Sequence, residues 1–199
     1  METARRSAWE RYTQPAIRQC FLEMLKKRPI EKISVGDLCE KVDINRSTFY
    51  RHYPDIYALL DSIVDECFHE LFGEPTRDVN YRSSFEDAGY ELILQMCALT
   101  EQKKELYQLL LFGRTRTQLS EKIEDSLCQL YLKAHESSNY LPSPEVRLNY
   151  YYLAHGITGV WLTWLRDDCV LPKEQVAQVV NHQISAFFSK MNELYLPKD

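Results

Sequence analysis

The stretch Ser34-Val35-Gly36-Asp37-Leu38-Cys39-Glu40-Lys41-Val42-Asp43-Ile44-Asn45-Arg46-Ser47-Thr48-Phe49-Tyr50-Arg51-His52-Tyr53-Pro54 decides how this chain is read. Ser34 is a good helix N-cap, with Asp37 three residues on. Val35, Leu38, Cys39 and Val42 share a face, which predicts a short helix over about 35–41. Asp43-Ile44-Asn45 reads as a tight turn, because Asp and Asn tolerate left-handed backbone better than most residues. A further short helix is predicted over 46–52, stopped by Pro54. Two short helices joined by three or four residues form the geometric signature of a helix-turn-helix. In such a unit the second helix enters the major groove and the first crosses the backbone. In the second helix only Phe49 is an obvious core anchor. The other side chains are hydrogen-bonding groups suited to phosphates and base edges.

Helical periodicity continues on both sides. Upstream, a helix over about 7–27 carries the stripe Ile17, Cys20, Phe21, Met24 and Leu25, and Lys26, Lys27 and Arg28 suit its negative end before Pro29 stops it. Downstream, Ile56, Leu59, Leu60, Ile63, Val64, Cys67, Phe68 and Leu71 predict a longer helix over about 55–72. Residues 74–84 are polar and expected as a loop. Helices are expected at about 85–100, 102–112, 116–136, 145–166 and 173–195, with connectors at 139–144 and 167–172. No alternating strand, hairpin signal or internal repeat is visible, so the fold class is all-α. The expected organisation is a three-helix head over 10–72, with its helix-turn-helix at 34–53, and a helical-bundle domain over 74–199.

Bulk properties narrow the function. The net charge of −5 by itself argues against a nucleic-acid binder. Its distribution is more informative: residues 1–55 hold three more basic than acidic side chains, and the rest hold eight more acidic than basic. A mildly basic head and an acidic body would concentrate phosphate contacts in the head, although so small an excess also arises by chance on solvated faces. The six cysteines lie no closer than 19 positions apart, which excludes zinc-finger spacing and favours reduced, buried thiols over a redox sensor. No metal-ligand cluster appears, so no cofactor and no metal are expected. No apolar run reaches the roughly 18 residues of a membrane span, and the polar N-terminus does not read as a secretory signal. A cytoplasmic protein without a membrane partner is expected.

The residues 34–54, with the preceding Ile17 and Phe21 stripe and the following Ala58-Leu59-Leu60, resemble the DNA-binding head of the TetR family of bacterial transcription regulators. The resemblance covers residues 10–72. It implies that Ser34 caps the second helix and touches phosphate, and that Asn45 caps the recognition helix. It implies that Arg46, Ser47 and Thr48 face DNA, with Arg46 the best base-edge candidate, and that Tyr50, Arg51 and His52 reach phosphates or bases. Phe49 would anchor the motif, and Tyr53 and Pro54 would turn the chain. Two departures stand out. Asp43 occupies a turn position that is often glycine in the family, and Asp55-Ile56-Tyr57 stands where many members carry a phosphate-gripping lysine.

The run Tyr151 to Leu165 more loosely resembles a C-terminal domain common in Firmicutes members, some of them regulators of dihydroxyacetone kinase operons. The resemblance implies a homodimer built on the last two helices, with Gly156, Gly159, Val160, Val180, Phe187 and Phe188 as candidate interface residues. The other reading packs all of these inside one subunit. An aromatic effector pocket is expected from Met96, Tyr107, Tyr131, Tyr152, His155 and Trp161, against ordinary core as the alternative. The implied function is a regulator, a repressor in the family majority, that binds a palindromic operator on double-stranded DNA. A small-molecule effector acting through the body would alter the setting of the fourth helix. The alternative is a regulator-like protein that acts through a protein partner with weak or no DNA binding. An enzyme is disfavoured, since no catalytic triad, His-Glu-x-x-His or phosphate-loop pattern occurs.

Overall fold

In a computed structural model of the chain, residues 12–73, 85–113, 118–136 and 143–195 are described. Among them are nine α-helices, one 3₁₀ turn and no strand. The expected loop at 74–84, the start of the first helix and residues 139–142 of the first connector lie outside the described residues. Contacts divide the chain into two units, residues 1–67 with 109–117, and 68–108 with 118–199.

The first unit begins with α1 (Gln14–Lys27), which buries Ile17, Phe21, Met24 and Leu25 at the spacing of one helical face. Pro29 precedes the 3₁₀ turn Ile30–Lys32. Ser34 caps α2 (Val35–Val42), its hydroxyl accepting the Asp37 N–H at 3.0 Å. Asp43 then adopts φ 56° and ψ 51°. The Ile44 N–H bonds to the Cys39 carbonyl at 3.0 Å and the Asp43 N–H to that of Glu40 at 3.3 Å, closing α2 as a Schellman motif. This is the left-handed turn expected of Asp43. α3 (Arg46–Tyr50) ends two residues before the expected His52, and buries only Phe49. α4 (Ile56–Phe72) lines the core of this unit with Ile56, Leu59, Leu60, Ile63, Val64 and Cys67. Arg18 of α1 is paired with Glu66 of α4, and its guanidinium also donates to the Ser62 carbonyl at 3.3 Å.

The second unit contains α5 (Phe85–Gln102), α7 (Leu119–Glu136), α8 (Pro144–Arg166) and α9 (Lys173–Tyr195), with the first part of α6 (Lys104–Phe112). α5 packs chiefly along α9, and α7 along α8. Ser143 caps α8 through the Val146 N–H at 3.3 Å. The turn after α8 is a second Schellman closure: Asp168 and Cys169 have φ of 62° and 56°, and the Cys169 N–H bonds to the Trp164 carbonyl at 2.9 Å. Lys104 holds Asp168 at 2.8 Å, Gln108 donates to the Leu165 carbonyl at 3.0 Å, and Lys173 meets Glu101 at 3.0 Å. These contacts fix the α8–α9 turn against α5 and α6. Two aromatic groups fill the interior. Tyr107 meets Trp161 edge-on, and the Trp161 indole N–H donates to Thr100 Oγ1 at 2.9 Å. Tyr131 stacks on Tyr150, with Phe187 and Phe188 beside them.

Thr100 is buried, and its hydroxyl donates to the Met96 carbonyl at 2.7 Å while accepting from the indole. Thr100→Val strands the indole N–H and should destabilise the fold by about 1–3 kcal/mol, whereas Thr100→Ser should keep most of the stability. Urea unfolding followed by circular dichroism measures both; equal loss in the two variants would contradict this role. At the other Schellman turn, Asp43→Gly removes the Cβ from left-handed backbone. It should be neutral or stabilising by up to about 1 kcal/mol in the same assay. A clear loss of stability would show instead that the Asp43 side chain holds the turn.

Candidate nucleic-acid interface

A five-residue helix has too few internal hydrogen bonds to persist alone. α3 is held by Phe49, which is fully buried, with the Tyr53 ring 5.6 Å away on one side and Tyr50 edge-on at 5.7 Å. Everything else on α3 is left outward. Arg46 and Ser47 are exposed, Thr48 is half-buried and Tyr50 is 53% exposed. Arg51 and His52, just past the helix, are exposed too, as are Ser34 and Asn45. The eight residues expected at the DNA face therefore stand on one short segment and the cap of the helix before it.

The expected roles are partly redistributed. Ser34 caps α2 as expected. Asn45 occupies the cap position of α3, but its side chain makes no capping hydrogen bond. With so short a helix, the backbone bonds from Thr48 and Phe49 to the Asn45 carbonyl suffice to start it. Asp55 replaces the family lysine region with a structural group: its Oδ1 accepts the Ala58 N–H at 2.8 Å and so caps α4.

Charge in this unit is sorted by position. Arg28 is paired with Asp37 at 2.8 Å, and the Ser34 hydrogen bond and then Arg28 hold the Asp37 carboxyl below its usual range. Lys26 is paired with Glu23. Arg46 and Arg51 have no ion-pair partner among the described residues. Desolvation and then the Arg51 charge push His52 down, so at neutral pH it is a neutral hydrogen-bonding ring. Burial pushes the Cys39 thiol up, with the Arg46 guanidinium pulling against it. The interface therefore offers two free guanidiniums, hydroxyls and one imidazole over a surface of a few residues.

In the second unit the expected effector residues are not brought together. Met96, Tyr107 and Trp161 belong to the buried group around Thr100, and Tyr131 to the Tyr150 and Phe188 group. Tyr152 and His155 lie on the exposed face of α8. His155 is held there by the Tyr151 carbonyl at 2.8 Å and Glu124 at 3.4 Å. The expected dimer residues also divide. Gly156, Gly159 and Val160 are exposed, Phe187 is half-buried, and Val180 and Phe188 turn inward. A Cβ added to Gly156 or Gly159 would meet nothing within 4 Å, so neither glycine is explained by packing inside the subunit. Both border open grooves between α8 and α9. One, of about 620 Å³, is lined by Tyr152, Gly156, Val160, Val179 and Phe187 among others; the next, of about 920 Å³, runs on to Trp164 and Leu171. Val179 was missed in the sequence because an apolar residue at helical spacing looks the same whether it faces in or out. All six cysteines are free; four are buried, and Cys20 and Cys169 are only half-buried. No helix among the described residues is long and apolar enough to cross a membrane.

Comparison with known proteins agrees with this architecture. The TetR-type family described as "Transcriptional regulator C-terminal region" matches residues 87–186, half of the chain. No curated protein matches the sequence. Among solved structures the fold resembles the dihydroxyacetone kinase operon activator DhaS, with a TM-score of 0.57 and 16% identity over 90% of this chain and 96% of that one. It also resembles a TetR-family regulator from Streptomyces coelicolor, with a TM-score of 0.61 and 13% identity over 90% and 82%. A third is the fatty acid degradation regulator FadR from Bacillus halodurans, with a TM-score of 0.61 and 13% identity over 85% and 92%. These likenesses are of fold, and the family match adds the assignment: the chain belongs to the TetR family of transcription regulators.

Proposed function

We propose that this protein is a cytoplasmic, non-enzymatic repressor that binds a palindromic operator as a homodimer, with residues 10–72 as its DNA-binding head. The observation that carries the reading is α3 itself. It gives one side chain to the core and leaves Arg46 and Arg51 unpaired, whereas Arg18, Lys26 and Arg28 of the same unit are all paired. Ser34, Asn45, Ser47, Thr48, Tyr50 and His52 complete a hydrogen-bonding surface for phosphates and base edges.

The homodimer rests on two arguments. A single five-residue helix reads too few base pairs to be selective, and a two-fold pair doubles the site. Leu148, Tyr152, Gly156 and Val160 repeat every four residues on the outer face of α8, and Leu148 and Tyr152 are 69% and 76% exposed. A second copy of this chain, laid along α8 and α9, covers that stripe and gives the two open glycines a close neighbour. Effector control acts through residues 74–199. A ligand must favour one state of the dimer by several kcal/mol to shift operator occupancy strongly.

The partner-protein reading keeps one supporting observation. Asp43 and Asp55 are both exposed beside α3, where negative charge weakens phosphate binding. One experiment separates the two. A duplex from the gene's own promoter region is titrated with protein at several salt concentrations. Salt-dependent binding that drops about tenfold or more in Tyr50→Ala and in Arg51→Ala, with helicity intact, is expected. No salt-dependent binding would favour the partner protein. For the dimer, Gly156→Leu with Gly159→Leu should weaken self-association at least about tenfold in sedimentation velocity, while the helix content of the subunit is kept. Unchanged association would place the dimer contact elsewhere.

A further inference from the structure

We propose that Gly36 is a seat for the Arg46 guanidinium, and that the seat makes Arg46 a contact to the DNA backbone instead of a reader of base edges. The inference rests on the DNA-binding reading above and specifies how one of its residues works.

A Cβ built at Gly36 would stand 2.5 Å from one Nη of Arg46, 3.2 Å from its Cζ and 3.5 Å from its Nε. The Nη end of the guanidinium therefore occupies the space beside Gly36 that a Cβ would fill. Arg46 is the first residue of α3, and its charged end reaches back to Gly36 in the first turn of α2. The Cys39 thiol, one turn further along α2, feels the same charge.

No carboxylate accounts for this placement. Asp37, the acidic group beside Gly36, is engaged by Arg28 at 2.8 Å and accepts the Ser34 hydrogen bond. Arg46 itself has no ion-pair partner among the described residues. The guanidinium is thus positioned by shape and left without an anion. In a helix-turn-helix the first helix crosses the sugar–phosphate backbone, while base edges are read from the groove-facing side of the second. A cation lying on α2 is at the level of the backbone. Phosphate contacts fix register without reading sequence, which sets the test.

Glycine inside a helix is disfavoured against alanine, so Gly36→Ala should fold at least as well as the parent and displace only the flexible end of Arg46. The full-length parent, Arg46→Ala, Gly36→Ala and the double variant are titrated with two duplexes over a range of salt. One duplex is enriched by the parent from a random library, and the other is an unselected random sequence. Arg46→Ala should lower affinity for both duplexes by the same factor, on the order of tenfold per subunit. The slope of log affinity against log salt should become shallower by about 0.9 per subunit. Gly36→Ala should reproduce a several-fold part of that loss in the parent and nothing further in the Arg46→Ala background. If Arg46→Ala instead relaxes discrimination at one base pair and spares the random duplex, Arg46 reads a base and the assignment is overturned. Full additivity of the two substitutions, or no effect of Gly36→Ala, overturns the seat. If the parent itself binds neither duplex in a salt-dependent way, the DNA-binding reading fails, and the assignment fails with it.

Discussion

The burial of Phe49 is the contact on which the candidate interface depends. α3 is five residues long, below the length at which a helix holds itself together in water. What keeps it in place is one ring with no exposed surface, in a unit whose other walls come from α1, α2 and α4. Because one residue does the anchoring, Arg46, Ser47 and Tyr50 of α3 stay exposed and Thr48 is only half-buried. The Schellman turn at Asp43 sets the angle at which α3 leaves α2, and the Asp55 cap starts α4 two residues after Tyr53 re-enters the core. Local hydrogen bonds thus fix the two ends of the motif, and one apolar contact fixes its middle.

Much of this was legible because the signals are local. A serine followed by Asp37, an Asp at the turn, and a proline after Tyr53 each state a backbone preference that tertiary contacts did not override. The boundaries of α4, α8 and α9 follow from periodicity sustained over 17 to 23 residues. What was not legible depends on which neighbour a side chain meets. Asn45 has the chemistry of a cap and stands at the cap, but its side chain is not used. Tyr107, Tyr131 and Tyr152 look alike in sequence, yet one faces Trp161, one stacks on Tyr150 and one faces outward. Periodicity assigns a residue to a face of its own helix; it does not name the helix opposite. Gly36 is the clearest case, since its role is defined by an atom ten residues away.

The charge pattern resolves a conflict present in the sequence. A net charge of −5 and two acidic residues flanking α3 argue against DNA. Bulk charge matters less than which cations are already neutralised. Arg18, Lys26 and Arg28 are spent within the unit, so the small basic excess of the head is not spread evenly. Arg46 and Arg51 are among the cations that no acidic partner reaches among the described residues. Of the two flanking acids, Asp55 is tied to the first turn of α4 by a hydrogen bond, and Asp43 is placed by its backbone conformation. Asp55 therefore has a structural role of its own, and Asp43 sits at a left-handed turn position. Their presence lowers the attraction for phosphate without implying that the surface is meant to repel it.

The same reasoning about unsatisfied surface applies to α8. A helix at the edge of a soluble unit gives one face to the core and a polar face to water. α8 buries Val146, Tyr150, Leu153, Ala154, Ile157, Trp161, Trp164 and Leu165, as such a helix should. Its opposite face carries an apolar stripe, Leu148, Tyr152, Gly156 and Val160 turn by turn, with His155 and Thr163 beside it. Two glycines in that face cost helix stability with no return inside the subunit, because nothing lies within 4 Å of either. A stripe that is apolar, continuous and relieved of side chains at its middle has the shape that lets a second helix approach closely. A two-fold pair brings an identical stripe to meet it, so one surface supplies both halves of the contact. Under the proposed reading, the shortness of α3 asks for a second reading head and the outer face of α8 offers a surface for a second copy, so two features far apart in the sequence support the same proposed assembly.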